Sequence, residues 1–230
     1  MGSSEQLRRN VAQHKPKNEL SKGDDKKVAA AMQRVIEYLN KRLTLKTLGY
    51  SLEYVASMEL REMMQLIRSY EKRVEFATLT KETSNMKPDG GILMLRKKGD
   101  DSYKRLVLVV EMKRQGTNDI RAAEGKAKQS AGNAIERLGK NLIGIRSTLR
   151  YEDVTPFICF GWGVDFGRDS SINDRVITMN EFYPLNRIFV FKKEGYSPVS
   201  MFFREKEWEE KELFEIMKEV AETSIRYYIF

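Results

Sequence analysis

Two acidic residues and one lysine mark where this chain could do chemistry. Asp89 lies in Lys87-Pro88-Asp89-Gly90-Gly91, and Glu111 and Lys113 close the run Leu106-Val107-Leu108-Val109-Val110-Glu111-Met112-Lys113. Two positions apart on a strand, Glu111 and Lys113 project from the same face. Carboxylates suit a hard divalent cation such as Mg²⁺, which takes one or two of them and completes its shell with water and phosphate oxygens. An ammonium beside them can orient or deprotonate a water and offset phosphate charge, so the set is equipped to hydrolyse a phosphodiester. Met112 points the other way, yet its backbone carbonyl can still face the cation. The same residues would also serve as a strand end at solvent and a simple turn. Their position at the end of a buried apolar run favours the chemical role, because ligand sites gather at such sheet ends.

A second group follows at Ser130-Ala131-Gly132-Asn133-Ala134-Ile135-Glu136-Arg137. Ile135, Leu138, Leu142, Ile145 and Leu149 make one helical face, and Asn133, Glu136, Arg137 and Lys140 the other. Asn133 and Arg137 stack one above the other. Asparagine can take adenine through N6 and N7 in the major groove, and arginine donates to purine N7 and O6. Glu136 can accept from an exocyclic amine or hold Arg137 in place. The small residues Ser130, Ala131 and Gly132 let the positive end of the helix approach base edges or phosphate. An ordinary amphipathic helix with a solvated polar face has the same composition.

The elements that must position these groups are readable in outline. Residues 1 to about 26 are polar and charged and read as a flexible basic arm, and residues 27–230 as a single domain. Helical spacing starts after Asp24-Asp25, with Val28, Met32, Ile36, Leu39 and Leu43, and a second helical stretch is expected from about Leu52 to Tyr70. Val74 to Leu79 turns β-branched and aromatic. Ile92 to Leu95 and Leu106 to Met112 read as strands joined through a hairpin at Lys97 to Ser102, with a polar loop from Gln115 to about Gln129 and a helix from Ser130 to Leu149 after them. Pro156 to Trp162 and Arg187 to Lys192 are further strand candidates, and Glu205 to Ile225 has helical texture. The order implies an α/β fold, a central mixed β-sheet flanked by helices.

Charge points to the partner. The chain carries a formal net charge of +8 and its hydrophobic fraction of 41% is that of a soluble globular protein. From Lys113 to Arg150 nine Lys or Arg face three Asp or Glu, a local +6 beside the candidate cation site. That favours a polyanion, with Lys87, Gln115, Lys126, Lys128 and Lys140 as candidate contacts to its backbone. The single cysteine, Cys159, permits no intrachain disulfide and fits a reducing cytoplasm. With His14 the one histidine, a His/Cys zinc site cannot be built from this chain alone. No apolar run approaches a membrane span.

These residues resemble the EcoRI-type type II restriction endonucleases of the PD-(D/E)xK nuclease superfamily. The likeness is carried by Lys87 to Gly91, by Leu108 to Lys113 with Gln115-Gly116, and by Ala131 to Arg137 extended through Lys140-Asn141. Weaker likeness occurs at Gln13-His14-Lys15, Leu185-Asn186-Arg187, Phe214 to Met217 and Thr223-Ser224. The resemblance implies a restriction-endonuclease-like fold and a homodimeric, Mg²⁺-dependent endonuclease acting on double-stranded DNA. It also implies that Asp89 and Glu111, with the Met112 carbonyl, bind metal and that Lys113 assists the water. Asn133, Glu136 and Arg137 would read the adenines of a palindromic AATT core, cut to leave 5′ AATT overhangs. A separate adenine methyltransferase would protect the host genome. The family has Met-Ala where this chain has Gln129-Ser130, and a second arginine where this chain has Val190. Arg187 alone would then contact the outer pair, giving a GAATTC-like or a relaxed RAATTY-like site. The competing readings are a repair or recombination nuclease of the same superfamily and a non-catalytic DNA-binding protein of the same fold.

Overall fold

A computed structural model describes residues 19–66, 85–116, 125, 133–167 and 171–230. Five strands form the main sheet: β1 (Tyr50–Val55), β4 (Gly91–Lys97), β5 (Asp100–Arg114), β6 (Phe157–Trp162) and β7 (Ser200–Arg204), in that spatial order. Two short strands, β2 (Met58–Glu59) and β3 (Asn85–Met86), pair separately. The first three strands of the large sheet run antiparallel to one another, and β5, β6 and β7 run parallel. This is the mixed sheet expected from the order of elements.

Helices cover both faces. On one side α1 (Glu19–Arg42) and α5 (Glu210–Ile229) bury Val28, Met32, Val35, Leu39, Leu213 and Met217 over Leu108, Val110 and Met112 of β5. On the other, α3 (Asn133–Thr148) lays Ile135, Leu138, Leu142 and Ile145 over Ile92, Met94, Val109 and Phe157. The short helices α2 (Leu60–Gln65) and α4 (Ser171–Met179) join the α3 side, adding Met63, Ile172 and Val176 to the same cluster. No helix among the described residues is long and apolar enough to cross a membrane.

One irregularity decides which way the chemistry faces. Leu93 pairs with Leu108 but Met94 with Leu106, so Val107 is an extra residue on β5. Such a bulge shifts the alternation of side chains beyond it by one. Past it Leu108, Val110 and Met112 face α1 and α5, while Val109, Glu111 and Lys113 face α3.

Three expectations change. The first helix begins at Glu19, inside the segment read as an arm, and Asp24 is buried within it, accepting a hydrogen bond from Trp162 Nε1 at 3.2 Å. That carboxylate serves a tertiary contact and does not start a helix. The helix expected over Leu52 to Tyr70 is instead β1, β2 and the single turn of α2, with residues 67–70 outside the described part. Leu52, Val55 and Met58 fall three apart and imitate a helical stripe, but β4 offers an open edge and takes Tyr50–Val55 in register. The strand expected at Arg187 to Lys192 makes only scattered bonds, among them Thr155 N–H to Val190 O and a single bridge between Val154 and Phe191. The edge beside β6 belongs to Ser200–Arg204. The segment Val74 to Leu79 and residues 1–18 lie outside the described residues.

Candidate active site at the carboxyl end of the parallel strands

Asp89 is held at the end of β5 by a tight turn. Gly91 N–H donates to Pro88 O and Gly90 N–H to Val110 O, which clamps the turn against the strand carrying Glu111. Both glycines are required by space. A Cβ on Gly90 would lie 2.6 Å from side-chain atoms of Val110 and Val28, and one on Gly91, whose φ is +79°, would lie 2.4 Å from the Tyr54 ring. Gly90→Ala is therefore expected to cost about 1–3 kcal/mol by overpacking. Denaturant melts of the two proteins check this; equal midpoints would mean that the turn does not pack as described.

Asp89, Glu111 and Lys113 meet there. Lys113 Nζ donates to Asp89 Oδ2 at 2.9 Å and makes a closer contact with Glu111 Oε1. Glu111 is further held by the Asp89 backbone N–H on Oε2 at 3.2 Å and by Asn141 Nδ2 on Oε1 at 3.1 Å. The Glu111 side chain is 2% exposed and that of Lys113 11%, whereas Asp89 at 46% opens to solvent. Beside Asp89 is an open hollow of about 360 Å³ lined in part by Asp25, Tyr54, Lys87 and Pro88.

The charges explain one another. Burial raises the Glu111 carboxyl above its usual range, with Asp89 adding to the rise and Lys113 opposing it. Burial works to lower the Lys113 ammonium, but Glu111 and Asp89 together outweigh it and hold it above its usual value. Two carboxylates share one ammonium, so the cluster retains one negative charge, with Glu111 and Lys113 buried and Asp89 open to solvent. A hard cation fits that deficit. No group of three or more His, Cys, Asp or Glu able to hold a metal occurs among the described residues. A cation bound by two carboxylates would complete its shell with water and phosphate, the habit of Mg²⁺ and not of a structural zinc.

Of the other expected site residues, Glu136, Arg137 and Lys140 are exposed on α3, and Lys87 is exposed before the Asp89 turn. Asn133 and Ala134 open α3. Ser130, Ala131, Gly132, Lys126 and Lys128 lie outside the described residues. Arg187 is exposed and follows Asn186, whose backbone N–H donates to Met201 O and whose side chain accepts from Phe203 N–H. Through the sheet registers, Met201 and Phe203 are level with Glu111 and Lys113, so Arg187 stands by the β7 edge at the height of the acidic cluster. The Met112 side chain packs in the α1–α5 core. Gln115 is a correction. It is buried, and its N–H donates to Trp162 O, because the β5–β6 pairing continues past the strand end; it does not reach an outer phosphate.

Asn141 went unnoticed as a site residue. Its signal was present, since it lies one helical turn beyond Arg137, but its partner is thirty positions away in sequence.

A family model described as restriction endonuclease EcoRI matches residues 14–173 of the chain. Among curated relatives, the type II restriction enzyme EcoRI of Escherichia coli is 27% identical over 234 aligned residues, covering 85% of this chain and 83% of that enzyme. The type II restriction enzyme RsrI of Cereibacter sphaeroides is 32% identical over 123 residues, 50% of this chain and 43% of that enzyme.

Proposed function

This chain belongs to the EcoRI restriction endonuclease family, whose fold is the mixed α/β sheet described above, and on that premise we propose that it is a Mg²⁺-dependent type II endonuclease. Its substrate is double-stranded DNA carrying a palindromic site with an AATT core, cut to leave 5′ AATT overhangs. The observation that carries the reading is the meeting of Asp89, Glu111 and Lys113 at the sheet end beneath the helix that bears Arg137.

Asp89 and Glu111 would hold the metal, with the Met112 carbonyl as a third oxygen. A divalent cation held there would supply polarisation of the phosphate and a lowered pKa for an attacking water. Lys113, fixed by both acids, is placed to orient that water and to offset phosphate charge. Burial of Glu111 and Lys113 keeps bulk water from competing for the contact between them. On α3, Asn133, Glu136 and Arg137 would read the adenines, with Ser130 to Gly132 and Ala134 close to the bases. Lys87, Lys126, Lys128 and Lys140 would supply phosphate contacts that fix position and carry no base preference themselves.

The outer base pair is where this chain parts from the family pattern. Val190 stands where a second arginine is expected, and it is buried with its carbonyl bound to Thr155 N–H. One arginine, Arg187, is left for that pair, which supports a relaxed purine–pyrimidine flank over strict G·C. Each chain supplies one Asp89–Glu111–Lys113 centre, so cutting both strands of a palindrome calls for a symmetric homodimer. An adenine methyltransferase is the functional partner such an activity needs in a host.

Supercoiled plasmid incubated with the protein and Mg²⁺ tests this. Discrete bands are expected, with none in the presence of chelator, while a gel shift on an AATT duplex persists without metal. Degradation progressing from ends would indicate a repair-type nuclease, and intact DNA a non-catalytic binder; either result overturns the proposal.

A further inference from the structure

The geometry points to Asn141 as the positioning residue that couples base reading on α3 to the orientation of Glu111. This rests on the endonuclease reading and goes beyond it. Glu111 is almost wholly buried, and each of its oxygens is engaged: Oε1 by Lys113 and by Asn141, Oε2 by the Asp89 backbone. Two of those donors come from the catalytic strand and turn themselves. Asn141 is the donor among them that arrives from the reading helix. It lies on the line of α3 that runs through positions 133, 137 and 141, the i, i+4 ridge of a helix.

Arg137 is exposed midway along that line and Asn141 reaches the carboxylate at its end. Four residues of helix separate them, about 6 Å along a rigid rod. A helix seated properly on its bases therefore sets Asn141, and Asn141 sets one Glu111 oxygen. A helix seated on a wrong base displaces the same oxygen. Displacement of a reacting group by about 1 Å can cost on the order of 100-fold in rate, so the contact converts a small misfit into a large loss of cutting. Plain packing would not require this arrangement, because α3 already buries Ile135, Leu138, Leu142 and Ile145 on the sheet.

The test compares the full-length protein with Asn141→Ala and the isosteric Asn141→Asp, which removes the donor. Single-turnover cleavage is measured on an AATT duplex and on duplexes with one core base changed, and metal-free binding is measured by gel shift. The expected result is metal-free binding within about twofold of wild type, a cleavage rate lowered on the order of 10–100-fold, as for loss of an outer-shell partner of a ligand, and a reduced preference for the correct duplex. Retained rate and preference in both variants would overturn the inference. Equal slowing on correct and altered duplexes would also overturn it, since Asn141 would then hold Glu111 without coupling. A second measurement does not depend on cutting: the side-chain amide ¹⁵N resonance of Asn141 in metal-free protein. It should shift in Glu111→Gln and again on adding the AATT duplex but not an altered one; no response to either duplex contradicts the coupling. Absence of cleavage by the wild type would sink the endonuclease reading alone.

Discussion

Glu111→Gln is expected to lose cleavage and to remove a loss of stability that the wild type suffers as pH rises above the ordinary carboxyl range. Cleavage should fall at least on the order of 10²–10³-fold, the usual loss when one preorganised electrostatic contact to a reacting centre is deleted. Stability depends on pH through the charge balance around the site. The Glu111 carboxyl, buried and beside Asp89, has a folded-state pKa raised above the ordinary value of 4.5. A raised carboxyl binds more protons in the native than in the unfolded chain. Its contribution is therefore favourable below the ordinary value and is lost as pH rises through the raised one. Glutamine removes that pH-dependent loss and keeps the shape, but it also takes from Lys113 the carboxylate that raises it most and leaves Asp89 as its charged partner. Each kcal/mol of that pH-dependent difference should appear as about 2–4 °C in melting temperature for a domain of this size. Melting curves of wild type and variant, with gel shifts on an AATT duplex, check both halves. Full cutting by Glu111→Gln would remove Glu111 from the site, and the same change of melting temperature with pH in both proteins would contradict the charge account.

Arg137→Ala and Asn133→Ala should relax which sequence is cut. A bidentate base contact is worth about 1–3 kcal/mol of discrimination. A symmetric dimer on a palindrome loses every contact twice, so the expected fall in preference is about 2–6 kcal/mol per substitution. Non-specific affinity should hardly change, because it rests on phosphate contacts. Arg137 is exposed on α3 and no hydrogen bond or ion pair to it is seen among the described residues, so its removal leaves no buried partner stranded. Competition binding across a set of single-base variants reads the effect. An unchanged order of preference in both variants would refute α3 as the reading helix.

What the chain discloses without a structure follows from the range of the forces involved. The Asp89 turn and the Glu111–Lys113 pair were legible because turn chemistry and strand alternation are local. The apolar face of α3 was legible for the same reason, and so was the hairpin whose turn is at Lys98-Gly99. What could not be read is what depends on partners distant in sequence. β1 imitates a helix until β4 is there to pair with it. Arg187 to Lys192 looks extended enough for a strand, yet Ser200–Arg204 takes the edge. The Val107 bulge, which turns Glu111 toward α3, leaves no mark in an unbroken apolar run. Gln115 looked free to meet a phosphate, and Asp24 looked like a helix start. Both are claimed by Trp162, Gln115 through the Trp162 backbone carbonyl and Asp24 through its indole N–H. Asn141 belongs to the same group in one respect, since its bond to Glu111 forms only once α3 lies against the sheet.

Sequencing the ends left on plasmid DNA by the wild-type protein in Mg²⁺ bears most directly on the claim that this cluster breaks a chosen phosphodiester. Ends carrying 5′ AATT overhangs, flanked by one class of base pair, absent with chelator and absent with Asp89→Ala, are the predicted outcome. Ends of no common sequence, or the same ends made by Asp89→Ala, would contradict it.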